Sequence, residues 1–182
     1  MTPVLPPRIA TDRLVLRPPV EADAGSIFAA YARDPEVSRY LIWSPHDSIE
    51  TTRGFVASCM ASWRSQSAFP YVMTLTGSDE AIGMLEARPA GHRVVIGYVL
   101  ARPHWGTGLM PEAIRSLAKL AKLAILDLGF FRVEASCDLE NAQSARALEK
   151  AGFIKEGRLA RYMVHPNVSP EPRDCWLYAA SR

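Results

Sequence analysis

The stretch Gly97-Tyr98-Val99-Leu100-Ala101-Arg102-Pro103-His104-Trp105-Gly106-Thr107-Gly108-Leu109-Met110-Pro111-Glu112-Ala113 constrains the fold more than any other part of the chain. It reads as the end of a strand, a glycine-rich loop and the start of a helix. Gly106 and Gly108, one residue apart, let the backbone turn with no Cβ in the way. Beyond them Met110, Ile114, Leu117, Ala121, Ala124 and Leu128 recur at steps of four and three, one side of a long amphipathic helix, with Arg115, Lys119 and Lys122 off that line. Pro111 fits the first turn, and Gly129 is placed to end the helix in a left-handed turn. The unpaired N–H groups of such a helix start, with the helix dipole, form a site for an anion. The spacing excludes two familiar anion binders: no Gly-Lys-Ser/Thr follows at P-loop distance, and no third glycine completes GxGxxG. Alone, the Gly-x-Gly pair is equally well explained as a tight strand-to-helix turn.

The remaining patterns place this unit in a mixed sheet. Arg13-Leu14-Val15-Leu16-Arg17 alternates with period two and stops at Pro18-Pro19, which predicts a strand. A helix bearing Ile27, Phe28 and Tyr31 follows. Asp34-Pro35 opens a second helix with a capping carboxylate and proline at the first position. Asp47-Ser48-Ile49-Glu50 reads as a capping box for a third, with Ile49, Val56, Met60 and Trp63 near one face. Residues 71–76, 81–88 and 93–100 predict three strands joined by short turns, an antiparallel meander. After the long helix come a strand at 131–137, a helix at 141–150 and two strands near 153–164 and 174–179. The expected fold is therefore α/β, a mixed and mostly antiparallel sheet of about seven strands with helices on both faces. Residues 1–10 read as a flexible lead-in and 11–182 as one domain.

Asn141-Ala142-Gln143-Ser144-Ala145-Arg146-Ala147-Leu148-Glu149-Lys150-Ala151-Gly152-Phe153 is the second informative segment. Asn141 suits an N-cap, Gly152 a C-cap, and Ala145 and Leu148 a core face, but helix formation alone has no need of Ser144. Taken together with Arg13–Arg17, Ile96–Leu100 and Trp105-Gly106-Thr107-Gly108 with Glu112-Ala113, this segment resembles the GNAT superfamily of N-acetyltransferases. Within it the branch that acetylates N-termini of ribosomal proteins is the most similar. Pro103 departs from the Arg or Gln that this family prefers three residues before the first loop glycine.

The resemblance implies acetyl-CoA as cosubstrate. Its pyrophosphate would lie on the backbone of Trp105, Gly106, Thr107, Gly108, Leu109 and Met110, and its pantetheine arm beside the strand ending at Leu100, where that strand splays from the one ending near Cys137. Asn141 would hydrogen-bond the arm and Ser144 would meet the sulfur. An amine would then attack the thioester directly, with a backbone N–H near Val99 or Leu100 for the oxyanion and Ser144 as proton donor to the thiolate. For the general base, Glu86 and Glu134 are equal candidates, because carboxylates within predicted strands are unusual unless they face a cavity. His92, at the start of the strand leading to the loop, is a further titratable neighbour; a solvent-facing side chain is the plainer reading of all three.

The leading acceptor is a protein N-terminus; the alternatives are a small amine such as an antibiotic or polyamine, and no acceptor at all in a non-catalytic acyl-CoA-binding or sensor domain. The acceptor pocket is expected to draw on residues 40–45 and the loop 165–173. A net charge of +2, with Lys and Arg dispersed, argues against nucleic acid. No apolar run approaches the length of a membrane span, and Cys59, Cys137 and Cys175 stand far apart, which suggests reduced, buried thiols in a cytoplasmic protein. No Cys/His spacing suggests a metal. A monomer or homodimer is expected.

Overall fold

Alternate residues of Leu14–Arg17 are fully buried, and this strand, β2, pairs antiparallel with Phe69–Leu75, β3. The computed structural model describes residues 5–128 and 130–181, apart from the side chains of residues 120–129. Gly129, the expected helix stop, lies outside the described residues, as do residues 1–4 and 182, and of the expected apolar positions Ala121, Ala124 and Leu128 only the backbone is described.

From β3 the chain runs through Gly83–Ala90 (β4) and Arg93–Leu100 (β5) as the expected meander. Arg132–Asp138 (β6) lies parallel to β5, and Pro172–Ser181 (β8) separates β6 from Ile154–Val164 (β7). With Ile9–Ala10 (β1) at the far edge, the sheet has eight strands in the order β1-β2-β3-β4-β5-β6-β8-β7, one more than the sequence pattern suggested. The addition falls in the expected lead-in: Ile9 and Ala10 pair with Leu16 and Val15, and Leu5 and Ile9 are buried. Two residues behind a run of prolines are too short to show any period.

Helices cover both faces. On one face, Leu109–Leu128 (α4) and Ala142–Lys150 (α5) pack Ile114, Leu117 and Leu148 against Val94, Ile96, Val133 and Ala135. Each such fully buried aliphatic side chain contributes about 1.5–3 kcal/mol, far more than the intrinsic helix preference of any residue in these segments. The opposite face carries Asp23–Ile27 (α1), a wider π-helical turn at Phe28–Ala32, Pro35–Ser38 (α2) and Ile49–Ser65 (α3), whose Val56 and Cys59 meet Val72 and Met84. Asp34 caps α2 by accepting from the Glu36 N–H at 2.9 Å, as expected. At α3 the cap is one residue later than the Asp47–Glu50 pattern suggests. Ser48 accepts from the Thr51 N–H, while Asp47 accepts from the Thr51 hydroxyl at 2.6 Å, so the two acceptors share the work of one turn.

The feature that makes a site is a gap. β5 and β6 pair only at Arg93/Arg132, Val94/Val133 and Val95/Glu134, yet β5 continues to Leu100 and β6 to Asp138. Beyond Val95 the two strands run on without hydrogen bonds to each other, and the sheet opens.

Candidate active site

The loop that follows β5 is held in the shape the glycines permit. Gly106 and Gly108 have φ of +77° and +82°, a region costly for residues with a Cβ. No N–H from Gly106 to Met110 has an acceptor among the described residues, so these donors are free at the N-terminus of a long helix. Glu112 locks the loop to β2: it accepts from the Thr11 hydroxyl at 2.5 Å, the Arg13 N–H at 3.1 Å and the Arg13 guanidinium at 2.7 Å. Arg13 in turn donates to the Thr107 carbonyl at 3.0 Å. Burial acts to raise the Glu112 carboxyl, but these donors hold it below the ordinary carboxylate range. Trp105 turns its indole back onto the Leu100 carbonyl at 2.7 Å.

Strand alternation distinguishes the two expected oxyanion donors. The Ala101 N–H donates to Ile82 at 2.8 Å, and the Val99 carbonyl crowds the place where a Cβ on Gly83 would lie. Odd-numbered residues of this part of β5 therefore direct their N–H groups to β4, and those of Tyr98 and Leu100 face the gap. Of the expected pair, Leu100 is placed to donate and Val99 is not.

The gap opens into a cavity of about 740 Å³ lined from both faces of the sheet. Its α4/α5 side is formed by Tyr98, Gly106, Gly108, Asn141, Ser144 and Ala147. Arg146 and Lys150 bring positive charge to the same side. Asn141 is the N-cap of α5, accepting from the Ser144 N–H at 3.1 Å, and the α5 C-terminus closes on Gly152 as expected, with Phe153 and Gly152 donating to Leu148 and Glu149 at 3.0 Å. The Ser144 hydroxyl lies 2.7 Å from the Tyr98 hydroxyl. Asp138, at the end of β6, fixes the approach to α5: it accepts from the Glu140 N–H at 2.9 Å and from the Arg173 guanidinium at 2.6 Å. Burial opposes its ionisation, yet Arg173 and the Glu140 N–H keep this carboxyl below its usual value.

On the other face stand Glu86, Arg88, Tyr40, Leu41, Ile42, Trp43, Phe55 and His165. Glu86 is half-buried, bound to Arg88 at 3.1 Å, and in register with Gly97, whose missing side chain leaves room for the Arg88 guanidinium. Asn167 ties the β7–β8 loop to the aromatic wall, donating from its side-chain amide to the Ser38 and Trp43 carbonyls at 2.7 and 2.8 Å. Glu134, the other expected base, does not line the cavity. It is paired with Arg93 at 2.9 Å and Arg132 at 2.7 Å where β5 and β6 are still joined. Its half-burial in a strand reflects an ion-pair cluster, which sequence pattern cannot tell from a cavity wall. His92 lies in the β4–β5 turn, exposed.

Comparison with known proteins follows the same lines. The family described as Acetyltransferase (GNAT) domain matches residues 13–154. This chain belongs to the GNAT acetyltransferase family. It is an acetyl-CoA-dependent N-acetyltransferase. The chain is 33% identical over 167 residues to the uncharacterized N-acetyltransferase YoaA of Bacillus subtilis, covering 90% of this chain and 92% of that one. A GNAT-family acetyltransferase structure from Bacillus anthracis superposes with a TM-score of 0.80 at 25% identity, covering 96% and 98% of the two chains. The microcin C7 self-immunity acetyltransferase MccE, solved with acetyl-CoA and AMP, shares the fold with a TM-score of 0.81 at 19% identity over 94% of each chain.

Several parts of this acetyltransferase's site were not singled out in its sequence. The Arg13–Glu112 lock joins segments 99 residues apart. Tyr98 was visible only as one letter of the strand before the loop. Asp138, Asn167 and Arg173 act through contacts between distant segments, and Arg88 through its pairing with Glu86 on the same strand. Of the segments expected to form the acceptor pocket, Tyr40 to Trp43 and His165 line the cavity, whereas Ser44, Pro45 and residues 166–173 do not. All three cysteines are free and buried, as expected, and burial pushes their thiols up, Cys59 to about 12 and Cys137 and Cys175 to about 11. Among the described residues no group of three or more His, Cys, Asp or Glu is placed to hold a metal ion, and no helix is long and apolar enough to cross a membrane.

Proposed function

We propose that the enzyme acetylates the N-terminal amine of a protein, with Ser144 as acid and Glu86 as base on opposite faces of the opened sheet. The carrying observation is the single cavity that passes between β5 and β6, with the free N–H groups and Ser144 on one face and Glu86 on the other. The residues present fit acetyl-CoA. The Gly106–Met110 donors suit a pyrophosphate, and the unpaired edges of β5 and β6 beyond Val95 suit the amide-bearing arm.

In this scheme Glu86 takes the proton of the incoming ammonium, and the neutral nitrogen attacks the thioester carbonyl. The Leu100 N–H supports the oxyanion. The C–N bond forms, the C–S bond breaks with its electron pair on sulfur, and Ser144 protonates the sulfur. The second proton shed by nitrogen restores the serine through solvent. A covalent enzyme intermediate has no support in three buried thiols that hold their protons at neutral pH. The resemblance of the sequence motifs to the ribosomal-protein branch supports a protein N-terminus as acceptor. The aromatic wall of Tyr40, Trp43 and Phe55 favours a second reading, a small amine with a flat apolar group.

A mass-spectrometric screen of peptide N-termini and small amines decides between them. Acetylation of peptide α-amines ahead of the small-amine panel supports the first reading, and the reverse order overturns it.

A further inference from the structure

Tyr98 stands on β5 beyond the last β5–β6 pair, on the face shared by Ile96 and Leu100, and its side chain reaches α5. Its hydroxyl lies 2.7 Å from Ser144 Oγ and 3.3 Å from the Ser144 carbonyl oxygen. Burial raises the phenol well above its ordinary value, so it keeps its proton across the working pH range. A phenol has one hydrogen to donate, and the shorter contact is with Oγ. Were the serine the donor instead, its hydrogen would be held by Tyr98 and none would be left for a leaving group. With Tyr98 donating, the serine hydrogen is left for a partner in the cavity that both residues line, where the Cys137 thiol is its other neighbour and an arriving sulfur would compete for it.

We infer that Tyr98 is a positioning residue: its phenolic O–H donates to Ser144 Oγ and so directs the serine proton toward the thioester sulfur. This rests on the reading of Ser144 as the group that meets the sulfur. Tyr98 itself gains and loses no proton. It fixes a rotor that would otherwise sample three staggered positions, of which one is productive.

The test is a double-mutant cycle of Tyr98→Phe and Ser144→Ala, read by thiol release with the best acceptor of the screen and by calorimetry with acetyl-CoA. Tyr98→Phe retains the ring that packs and loses only the hydroxyl. The expected result is a fall in kcat of about 3- to 10-fold, the size of one neutral hydrogen bond, with acceptor KM and acetyl-CoA affinity held within about twofold. Adding Tyr98→Phe to Ser144→Ala is expected to change kcat by less than about twofold, because the group it directs is gone. A ring-fluorinated tyrosine at 98, a stronger donor of nearly the same shape, is expected to keep kcat at or above the wild-type value. Equal losses from Tyr98→Phe in both backgrounds, a silent Tyr98→Phe beside a costly Ser144→Ala, or a loss of acetyl-CoA affinity matching the loss of kcat would each overturn the inference. A silent Ser144→Ala removes the underlying reading of Ser144 instead, and the inference with it.

Discussion

Replacing Gly106 by alanine isolates what the proposed phosphate loop requires of its backbone. A Cβ at this position meets nothing within 4 Å, so the substitution creates no clash, and the φ of +77° is its whole burden. For an L-residue that conformation costs about 1–2 kcal/mol. The loop can respond in two ways. It can keep its shape, in which case folding stability falls by that amount. Or it can relax to negative φ, which turns the N–H groups of Gly106 and Thr107 away from the phosphate site. In the second case the same energy appears as about a 5- to 30-fold weaker acetyl-CoA affinity, at tenfold per 1.4 kcal/mol. Gly108→Ala is expected to behave similarly, since the nearest atom there, Arg13 Nη2, stands at an ordinary 3.5 Å. Calorimetric titration with acetyl-CoA and thermal melts with and without ligand separate the two responses. If both the melting temperature and the affinity of Gly106→Ala and Gly106→Val match wild type, this loop is not the phosphate site and the reasoning fails.

Three further outcomes follow from the site. Glu86→Gln is expected to lower kcat/KM by about 10²-fold while leaving acetyl-CoA affinity intact; wild-type kinetics would remove Glu86 as the base. Asp138→Asn is expected to cost about 2–3 kcal/mol in urea unfolding at neutral pH, somewhat under the value for a fully buried pair because Arg173 is a quarter exposed. The folded-state pKa of Asp138 lies below its unfolded value, so its contribution is complete at neutral pH and is lost as pH falls through the folded value. The gap between wild type and Asp138→Asn should thus shrink below about pH 4, and a gap that stays undiminished down to about pH 2 would contradict this. Asn167→Ala releases the Ser38 and Trp43 carbonyls and is expected to raise acceptor KM about 5- to 10-fold with kcat nearly unchanged; an unaltered acceptor KM would show that the wall stands without it.

The motifs that were legible in the sequence are those whose physics is local. The Gly106–Gly108 turn, the Asp34 and Asn141 caps, the Gly152 stop and the period-two strands each depend on residues within a few positions of one another, and all are present. What the sequence hid depends on register. Glu86 and Glu134 look alike as carboxylates in strands, but Glu86 faces the cavity opposite Gly97, whereas Glu134 meets Arg93 and Arg132 before the strands part. That the Leu100 N–H and not the Val99 N–H faces the gap likewise has to be counted from a known hydrogen bond, that of Ala101 to Ile82. β1 escaped notice because two residues carry no period.

In the proposed reaction the cavity through the opened sheet brings a thioester sulfur to Ser144. Steady-state kinetics of Ser144→Ala, with acetyl-CoA calorimetry on the same folded preparation, tests this. Ser144 falls at the third helical position after the Asn141 cap, where alanine serves the helix at least as well, so the fold should persist. The expected result is a loss of kcat of about 10²-fold or more with acetyl-CoA affinity nearly unchanged, since the contact matters most as the thiolate departs. Reduced affinity with kcat intact, or no change in either, would contradict it.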